Sequence, residues 1–229
     1  GTAGFNVLDY VEIASTGNAT DFGDISGQQR CSGGMSDSTR GIFGGCGGGT
    51  NVIHYVTIAT TGDSIDFGDQ AVAAASGGAV NSPTRGITAG GDAPAYTDVI
   101  QYLTISTLGN TADFGDLSAA RAMLAGADSA TRGLFLGGNV PGTDNLNLIE
   151  YITIATLGNI LDFGDLTTAS GQVGGTSDCI RAVTAGGKHF GDQIEYVQIA
   201  TTGNSVDFGN LTQARRGLSG CSNGHGGLG

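Results

Sequence analysis

The feature that most constrains this chain is a fifteen-residue phrase that recurs five times along its 229 residues. The first copy runs from Tyr10 to Asp24, and the later copies begin 45, 47, 49 and 45 residues further on. Each copy has a Tyr, a Gly seven residues later and a Phe twelve residues later. The tyrosines are Tyr10, Tyr55, Tyr102, Tyr151 and Tyr196, the glycines are Gly17, Gly62, Gly109, Gly158 and Gly203, and the phenylalanines are Phe22, Phe67, Phe114, Phe163 and Phe208. Self-similarity at such a period predicts a repeat architecture.

The spacing within each copy separates scaffold from surface loop. An Arg follows each of the first four tyrosines by thirty residues, and the fifth copy has Gly226 at that position. These arginines are Arg40, Arg85, Arg132 and Arg181. All length variation falls between that Arg and the next Tyr, at 15, 17, 19 and 15 residues. Constant spacing indicates a packed unit, whereas variable length is typical of a loop, where insertions cost little.

Each copy predicts four short strands, here illustrated around the fourth tyrosine. They are Met123–Ala127, Arg132–Leu136, Asn147–Ala155 and Ile160–Phe163, with glycines or a Gly-Asn turn between them. The centre of the first strand holds only Gly, Ala or Ser in every copy. These pairs are Gly33-Gly34, Gly78-Ala79, Ala125-Gly126, Gly174-Gly175 and Ser219-Gly220. Strands that converge on one axis leave little room for side chains, so we expect this strand to be the innermost.

The two ends of the chain are complementary within the repeat. The chain starts at a third strand, Phe5 to Ile13, and ends after a second strand, Arg216 to Gly229. Together the two halves would complete one blade and hide the sheet edges that an open array exposes. The sequence therefore predicts an all-β fold, a five-bladed β-propeller of four-stranded blades. We expect one domain over residues 1–229, with one blade completed by both termini.

The repeat resembles the kelch family in its Gly-Gly after the second strand, its Tyr in the third, its aromatic in the fourth and its ending Leu-x-x-Ala-Arg. That ending is clearest at Leu117–Arg121 and Leu211–Arg215, and it lacks the Arg at Gln29, Ala74 and Ser170. Kelch repeats usually have Trp where this chain has Phe, and often six or seven blades. The recurring phrase is also similar to kelch-like arrays in structural proteins of marine tailed bacteriophages.

That resemblance implies a virion appendage or decoration protein, located in the virion, that acts in assembly or in binding a host-surface glycan or protein. We therefore expect a non-enzymatic binding or structural module whose partners are other virion proteins or the host surface. Two alternatives stay open. One is a cytoplasmic kelch adaptor for protein–protein interaction, and the other is a kelch-fold enzyme.

Composition excludes several other classes. Nine Lys and Arg against 21 Asp and Glu give a net charge of −12, which a nucleic-acid backbone would repel. No apolar run reaches the ~18 residues that a membrane span needs, so we expect no membrane insertion. No secretory signal opens the sequence, which begins at Gly1. The cysteines, Cys31, Cys46, Cys179 and Cys221, fall at different repeat positions, which favours free thiols over disulfides or metal binding.

Three recurring or chemically active residue sets were weighed as sites. The Asp-Phe-Gly-Asp element could hold Ca²⁺ between paired carboxylates, but the fifth copy ends in Asn210, which favours turn hydrogen bonds instead. The repeated Arg could line a glycan or carboxylate pocket, or it could bridge backbone carbonyls or an Asp between blades. The histidines, His54, His189 and His225, have no ligand spacing. We therefore expect no catalytic residues, no metal and no cofactor.

The loops of variable length predict the binding face. They lie between the second and third strands, at Gly47–Asn51, Asp92–Asp98, Asn139–Asn147 and Lys188–Gln193. The candidate binding residues among them are Asp92, Tyr96, Asp98, Asp144, Asn145, Lys188, His189, Phe190 and Asp192. Aromatic rings mixed with hydrogen-bonding groups suit sugar or protein recognition by loops on a rigid scaffold. Drift in unconstrained loops is the alternative interpretation.

Overall fold

The computed structural model describes residues 5–29, 31–46, 50–142, 145–188 and 191–222, which form eighteen β-strands and, within those ranges, no helix. The strands are β1 Phe5–Tyr10, β2 Thr20–Gln29, β3 Cys31–Ser36, β4 Arg40–Cys46, β5 Val52–Thr57, β6 Ile65–Asp69, β7 Gly78–Asn81, β8 Arg85–Gly91, β9 Thr97–Thr104, β10 Ala112–Asp116, β11 Ala125–Asp128, β12 Arg132–Leu136, β13 Leu148–Thr153, β14 Leu161–Asp165, β15 Gly174–Ser177, β16 Arg181–Ala185, β17 Gln193–Gln198 and β18 Val206–Asn210.

These strands form four four-stranded antiparallel sheets and one two-stranded sheet. The two-stranded sheet is the N-terminal hairpin, β1 and β2. Sheet 1 contains β3–β6, sheet 2 contains β7–β10, sheet 3 contains β11–β14 and sheet 4 contains β15–β18. Within each of the four, neighbouring strands follow one another along the chain, so every internal connection is a hairpin. The predicted all-β class and the propeller-like blade architecture are confirmed.

The same β-bulge occurs between the third and fourth strands of all four sheets. In sheet 3, Ile149 pairs with Gly164 and Glu150 pairs with Asp162, which leaves Phe163 as the extra residue. A bulge bends its strand and redirects the side chain. The ring of Phe163 meets the ring of Tyr151 edge-on at a centroid distance of 5.9 Å. All five Tyr–Phe pairs adopt this geometry, at 5.9–6.1 Å.

The sheets meet through their innermost strands. β3 contacts β7, β7 contacts β11 and β11 contacts β15. A Cβ atom on Gly126 would collide with the backbone carbonyl of Ala79, and one on Gly175 would lie 2.7 Å from the carbonyl of Gly126. This close approach of backbones is why the centre of the first strand carries small residues. Between neighbouring sheets, the core consists of buried aliphatic side chains and the Phe of the fourth strand, for example Phe163 with Val197 and Ile199.

Strand boundaries differ from the predicted ones where the repeat turns. Arg132–Leu136 was predicted correctly, but the third strand ends at Thr153 because the amide of Thr156 already donates to the carbonyl of Thr153 in a turn. In the hairpin, β1 ends at Tyr10 rather than Ile13. β2 is 10 residues long and ends at Gln29. The equivalent strands β6 and β14 end at Asp69 and Asp165, the positions that correspond to Asp24, so β2 extends five residues further because Gln29 pairs with Phe5.

The composite blade predicted from the two ends is not formed among the described residues. Within the predicted C-terminal half, Arg216 to Gly229, residues 216–222 contain no assigned strand and residues 223–229 lie outside the described ranges. Residues 218–222 nevertheless lie along β15, where Leu218 contacts Gly174 and the hydroxyl of Ser222 donates to the carbonyl of Ser177. The observed assembly is therefore four complete sheets and a hairpin.

Candidate functional site

The repeated arginine joins neighbouring sheets. Its guanidinium lies over the ring of the Tyr in its own sheet, at 4.4 Å for Arg132 over Tyr151. The other three arginines stack in the same way, at 4.5–5.1 Å. Arg132 also donates to the backbone carbonyl of Ile199 in the next sheet, at 2.7 Å. Arg40 and Arg85 donate equivalently to Ile105 and Ile154, so these guanidinium groups are occupied by cation–π and hydrogen-bond contacts inside the scaffold.

The Asp-Phe-Gly-Asp element serves turns and sheet contacts. The first carboxylate accepts the amide of the Gly two residues later, as Asp66 does from Gly68 at 3.0 Å. The amide of the second Asp donates to an Asp or Asn side chain on the turn of the next sheet, as Asp69 does to Asn110 at 3.0 Å. Across the described part of the chain, no group of three His, Cys, Asp or Glu is placed to hold a metal ion.

A buried polar residue precedes the Tyr in each four-stranded sheet, and the sequence analysis missed it. The residues are His54, Gln101, Glu150 and Glu195, each at most 5% exposed. Gln101 accepts from the amide of Val72 and donates to its carbonyl, both at 2.8 Å. Glu195 accepts the amide of Thr167 at 3.0 Å. Each of these two side chains thus fastens the segment that arrives from the preceding sheet. The available signal was a polar residue at one fixed position of an otherwise apolar strand.

Glu150 uses the same position for an ion pair. Its carboxylate lies 2.7 Å from the guanidinium of Arg121, which is fully buried. Burial lowers the pKa of Arg121, and the neighbouring Glu150 opposes that shift. At the equivalent position of sheet 1, burial lowers the pKa of His54 while the charge of Asp66 opposes the shift. These groups are enclosed between sheets, so they stabilise the scaffold and offer no open site for chemistry.

An axial cavity of about 530 Å³ is bordered by the innermost strands of all four sheets, by residues 218–222 and by Ile13, which follows the N-terminal strand β1. One end carries a polar residue from each repeat, at the position 26 residues after the Tyr. These are Ser36, Asn81, Asp128, Ser177 and Ser222. The amide of Asn81 donates to the carboxylate of Asp128 at 2.7 Å, and the amide of Asp128 donates to the hydroxyl of Ser177 at 3.3 Å.

This polar ring joins adjacent innermost strands by hydrogen bonds. Burial raises the pKa of Asp128 to about 7, against the opposing effect of the hydrogen bond from Asn81. The flanking strands, Gly78–Asn81 and Gly174–Ser177, contain no charged residue that could offset the burial of the carboxylate. Asp128 is therefore a carboxyl group that changes its charge near neutral pH. Nothing in the sequence of the repeat distinguished it from its Ser and Asn equivalents.

The structure brings two of the variable loops together. The amide nitrogen of Asn139, in the loop of sheet 3, donates to the hydroxyl of Tyr96, in the loop of sheet 2, at 3.0 Å. Asp92 and Tyr96 are partly exposed, and Asp98 is exposed at the start of β9. This hydrogen bond joins the two loops, with Asn139 buried and Tyr96 partly exposed.

The remaining candidate binding residues are less uniform. Asn145 is buried rather than exposed, because its loop folds back so that Asn139 and Asn145 form a β-bridge. Lys188 borders a cavity of about 130 Å³ in sheet 4, together with Thr168 and Glu195. Asp192 is partly exposed, and its carbonyl accepts the amide of Leu211 at 2.6 Å. Asp144, His189 and Phe190 lie outside the described residues.

Two of the four cysteines can be assessed. Cys179 and Cys221 form no disulfide, as predicted. The side chains of Cys31 and Cys46 lie outside the described part of the structure.

Comparison with known proteins leaves the fold and the geometry as the basis for assigning a function. A scan against protein-family models finds no match, and a search of curated proteins finds none. Within the described ranges, no helix has the length and apolar character needed to cross a membrane.

Proposed function

We propose that this chain is a non-enzymatic binding or structural module whose five repeats close into a five-bladed propeller. The completed ring would have the N-terminal hairpin as the outer half of the fifth blade and the segment after Leu211 as its inner half. The placement of residues 218–222 beside β15 supports this arrangement, because each preceding innermost strand lies beside its neighbour in the same way.

The observation that carries the binding role is the contact between Tyr96 and Asn139, which joins two loops of variable length. The residues that repeat at fixed spacing are occupied by contacts inside the scaffold. Arg132 binds a carbonyl of the next sheet, and Glu150 is paired with Arg121. Tyr96 lies in the segment of variable length and is partly exposed. Asp98 holds a fixed repeat position through its backbone carbonyl, which accepts the amide of Leu117, but its side chain is exposed. Both side chains lie where a partner can reach them.

The partner that we propose is a glycan or protein on a host surface, or another protein of a phage virion. The similarity of the repeat to kelch-like arrays of tailed phages supports the virion setting. The net charge of −12 disfavours polyanionic ligands such as nucleic acid. Aromatic and amide side chains on a rigid edge suit sugar or protein recognition.

The proposed function is tested by a loop variant that combines Tyr96→Ala with Lys188→Ala. The matched control is Ile180→Ser, an exposed residue in the turn between β15 and β16, on the opposite edge. Binding to candidate host cells, to a glycan array and to purified virions is measured with labelled protein. We expect the loop variant to bind at least about tenfold more weakly, with its melting temperature retained, and the control to bind normally. Unchanged binding by a folded loop variant would refute the assignment of this face.

A further inference from the structure

Two faces of the molecule expose side chains that are buried at most of the equivalent repeat positions. Phe208 in β18 is 56% exposed, whereas its equivalents Phe67, Phe114 and Phe163 are at most 3% exposed. Ile13 after the hairpin strand β1 is 88% exposed and its equivalent Ile58 in sheet 1 is 48% exposed, whereas Ile105, Ile154 and Ile199 are at most 2% exposed. The outer face of sheet 4 and the facing side of the N-terminal hairpin are therefore both unpartnered. We call the space between them the seam.

The neighbouring interface shows what covers Phe163. The amide of Gly203, in the turn of sheet 4, donates to the carbonyl of Phe163 at 2.7 Å. The side chain of Asn204 then accepts the amide of Asp165 at 3.1 Å. The N-terminal hairpin has the same Gly-Asn pair at Gly17 and Asn18. Across the seam, the amide of Gly17 could donate to the carbonyl of Phe208 in the same way, and the side chain of Asn18 could accept the amide of Asn210.

Two alternative sets of buried polar contacts occur at the interfaces between sheets, and they indicate which contacts the seam can form. In sheets 2 and 4 the residue nine positions after the Tyr carries a hydroxyl that hydrogen-bonds to the polar residue before the Tyr. Thr111 bonds to Gln101 at 2.9 Å, and Ser205 bonds to Glu195 at 2.5 Å. Where the residue nine positions after the Tyr is Ile160, the residue before the Tyr is Glu150, which instead pairs with Arg121 of the preceding crossover. In this interface, an Arg at the crossover position is therefore combined with an acidic residue directly before the next Tyr and an apolar residue nine positions after that Tyr.

The seam repeats this second combination. The crossover position of Arg121 lies nineteen residues after a Tyr, and the other repeat with an Arg there is the fifth, at Arg215. In the first repeat, the residue before the Tyr is the acid Asp9, and the residue nine positions after that Tyr is the apolar Ala19. Both Asp9 and Arg215 are exposed, and the Nε of Arg215 donates to the nearby carbonyl of Gln213 at 3.2 Å. The backbone of Arg215 is already placed like that of Arg121, since the carbonyl of each accepts a Gly amide at 2.9 Å.

The repeated arginine adds an independent observation. Arg181 lies over the ring of Tyr196 at 4.9 Å, in the same way as the other three. Those three each donate to the carbonyl of an Ile in the next sheet. By the same offset, a hairpin seated against sheet 4 would offer Arg181 the carbonyl of Ile13.

We infer that the N-terminal hairpin of this chain is the occupant of the seam, and that a buried ion pair between Asp9 and Arg215 locks it in place. The inference rests on the five-bladed ring proposed above. Burial of Phe208 by the Gly17 turn and donation by Arg181 to Ile13 accompany the ion pair. Charge complementarity selects this hairpin, because Asp9 meets Arg215 only when the first repeat follows the fifth.

A tryptophan reporter tests the inference, because the chain has no Trp of its own. Phe208→Trp reports on the seam, Phe163→Trp reports on a formed interface, and Leu161→Trp, at a site 55% exposed, gives the exposed reference. We expect the emission maximum and acrylamide quenching of the Phe208→Trp protein to match those of Phe163→Trp in a monomer defined by light scattering. An emission like that of Leu161→Trp would overturn the inference. Burial that disappears on dilution, together with a doubled mass, would also overturn it and would assign the seam to a second copy.

The ion pair is tested with Arg215→Met, Asp9→Leu and the double variant, and Arg216→Met serves as the neighbouring control. Removing one partner leaves an uncompensated buried charge, so Arg215→Met should lower the melting temperature by roughly 6 °C or more and expose the Trp at position 208. The double variant should recover most of that loss, because an apolar pair can replace a buried ion pair. Equal, small effects of Arg215→Met and Arg216→Met would overturn the pairing. These readouts do not involve partner binding. An exposed Trp at position 208 would refute the closed ring, small effects of Arg215→Met with a buried Trp would refute the ion pair alone, and neither result would bear on the proposed binding role.

Discussion

The interface between sheets 3 and 4 and the seam between sheet 4 and the N-terminal hairpin contain the same residues in different surroundings. A Cβ atom on Gly164 would lie 2.5 Å from the carbonyl oxygen of Gly203, whereas one on Gly209 would meet no atom within 4 Å. Phe163 is buried and Phe208 is exposed, although both follow an Asp in a strand of five residues. The burial of a repeat position therefore depends on whether the next repeat is seated against it. The predictions below use matched positions on the two sides of this comparison.

The largest effect is expected from glycine substitutions in the fourth strand. Gly164 and Gly158 have nearly the same φ, 149° and 148°, but an added Cβ has free space only at Gly158. Gly158→Ala should cost roughly 1–3 kcal/mol of backbone strain. Gly164→Ala should cost roughly 1–3 kcal/mol more, because the methyl group is forced against the carbonyl of Gly203. Urea unfolding measures both.

Gly209→Ala extends this test to the seam. Its φ of 142° carries the same strain. If the hairpin is seated, Gly209→Ala should match Gly164→Ala in the free energy of unfolding. A cost equal to that of Gly158→Ala would show the seam to be open.

The second effect concerns the buried ion pair at the interface between sheets 2 and 3. Glu150→Leu leaves the buried guanidinium of Arg121 without its carboxylate, and should lower the free energy of unfolding by about 3–5 kcal/mol. Adding Arg121→Met should restore most of it. Thermal unfolding of the single and double variants measures the coupling, and additive losses would argue against a specific pair.

A smaller effect is expected from the repeated arginine. Arg132→Gln removes a charged hydrogen bond to Ile199 and a cation–π contact with Tyr151, and should cost roughly 1.5–3 kcal/mol. Arg181→Gln should cost as much if Arg181 donates to Ile13 across the seam. A cost below about 1 kcal/mol, the value of an exposed cation–π contact alone, would place Arg181 outside any closed interface.

The last effect is a pH dependence at the axial ring. The pKa of Asp128 is raised to about 7, while the unfolded chain has the ordinary value of about 4. Between these values the folded protein binds a proton that the unfolded chain releases, so stability falls as pH rises from about 4 to about 7 and stays low above. Asp128→Asn should therefore melt like the native protein at pH 4 and at a higher temperature at pH 8.

Asp37→Asn supplies the control of opposite sign. Burial opposes the shift, but hydrogen bonds from Thr39 and Arg40 lower the pKa of Asp37. Its contribution to stability is present above the ordinary pKa and is lost as pH falls. If Asp128→Asn showed the same difference from the native protein at pH 4 and pH 8, the carboxylate would not be held out of water as described.

The parts of the fold that could be predicted are those encoded within one repeat. Arg132–Leu136 was predicted to the residue because its spacing from Tyr102 never varies and Gly137-Gly138 ends it. The small residues of the innermost strand likewise follow from one local requirement, the approach of Gly126 to Ala79. The extension of β2 to Gln29 could not be predicted, because it depends on pairing with Phe5 rather than on the repeat.

The candidate sites were predicted less well, because equivalent positions of the repeat carry chemically different side chains and so show no common sequence motif. His54, Gln101, Glu150 and Glu195 occupy one position, but only the contacts with Val72, Arg121 and Thr167 reveal their common role. Asp128 acquires its raised pKa from burial among uncharged strands. Asn145 was expected at the surface, but a bridge to Asn139 buries it.

The measurement that tests the central claim most directly is hydrogen exchange at five equivalent glycine amides in the monomeric full chain. The amides of Gly62, Gly109, Gly158 and Gly203 each donate to the carbonyl of the Phe in the preceding sheet, at 2.7–2.9 Å. Gly17 occupies the same position in the first repeat. If the five repeats form one closed ring, the amide of Gly17 will exchange as slowly as the other four. If Gly17 exchanges at the rate of an unprotected amide while the others stay protected, the ring is open and the account is wrong.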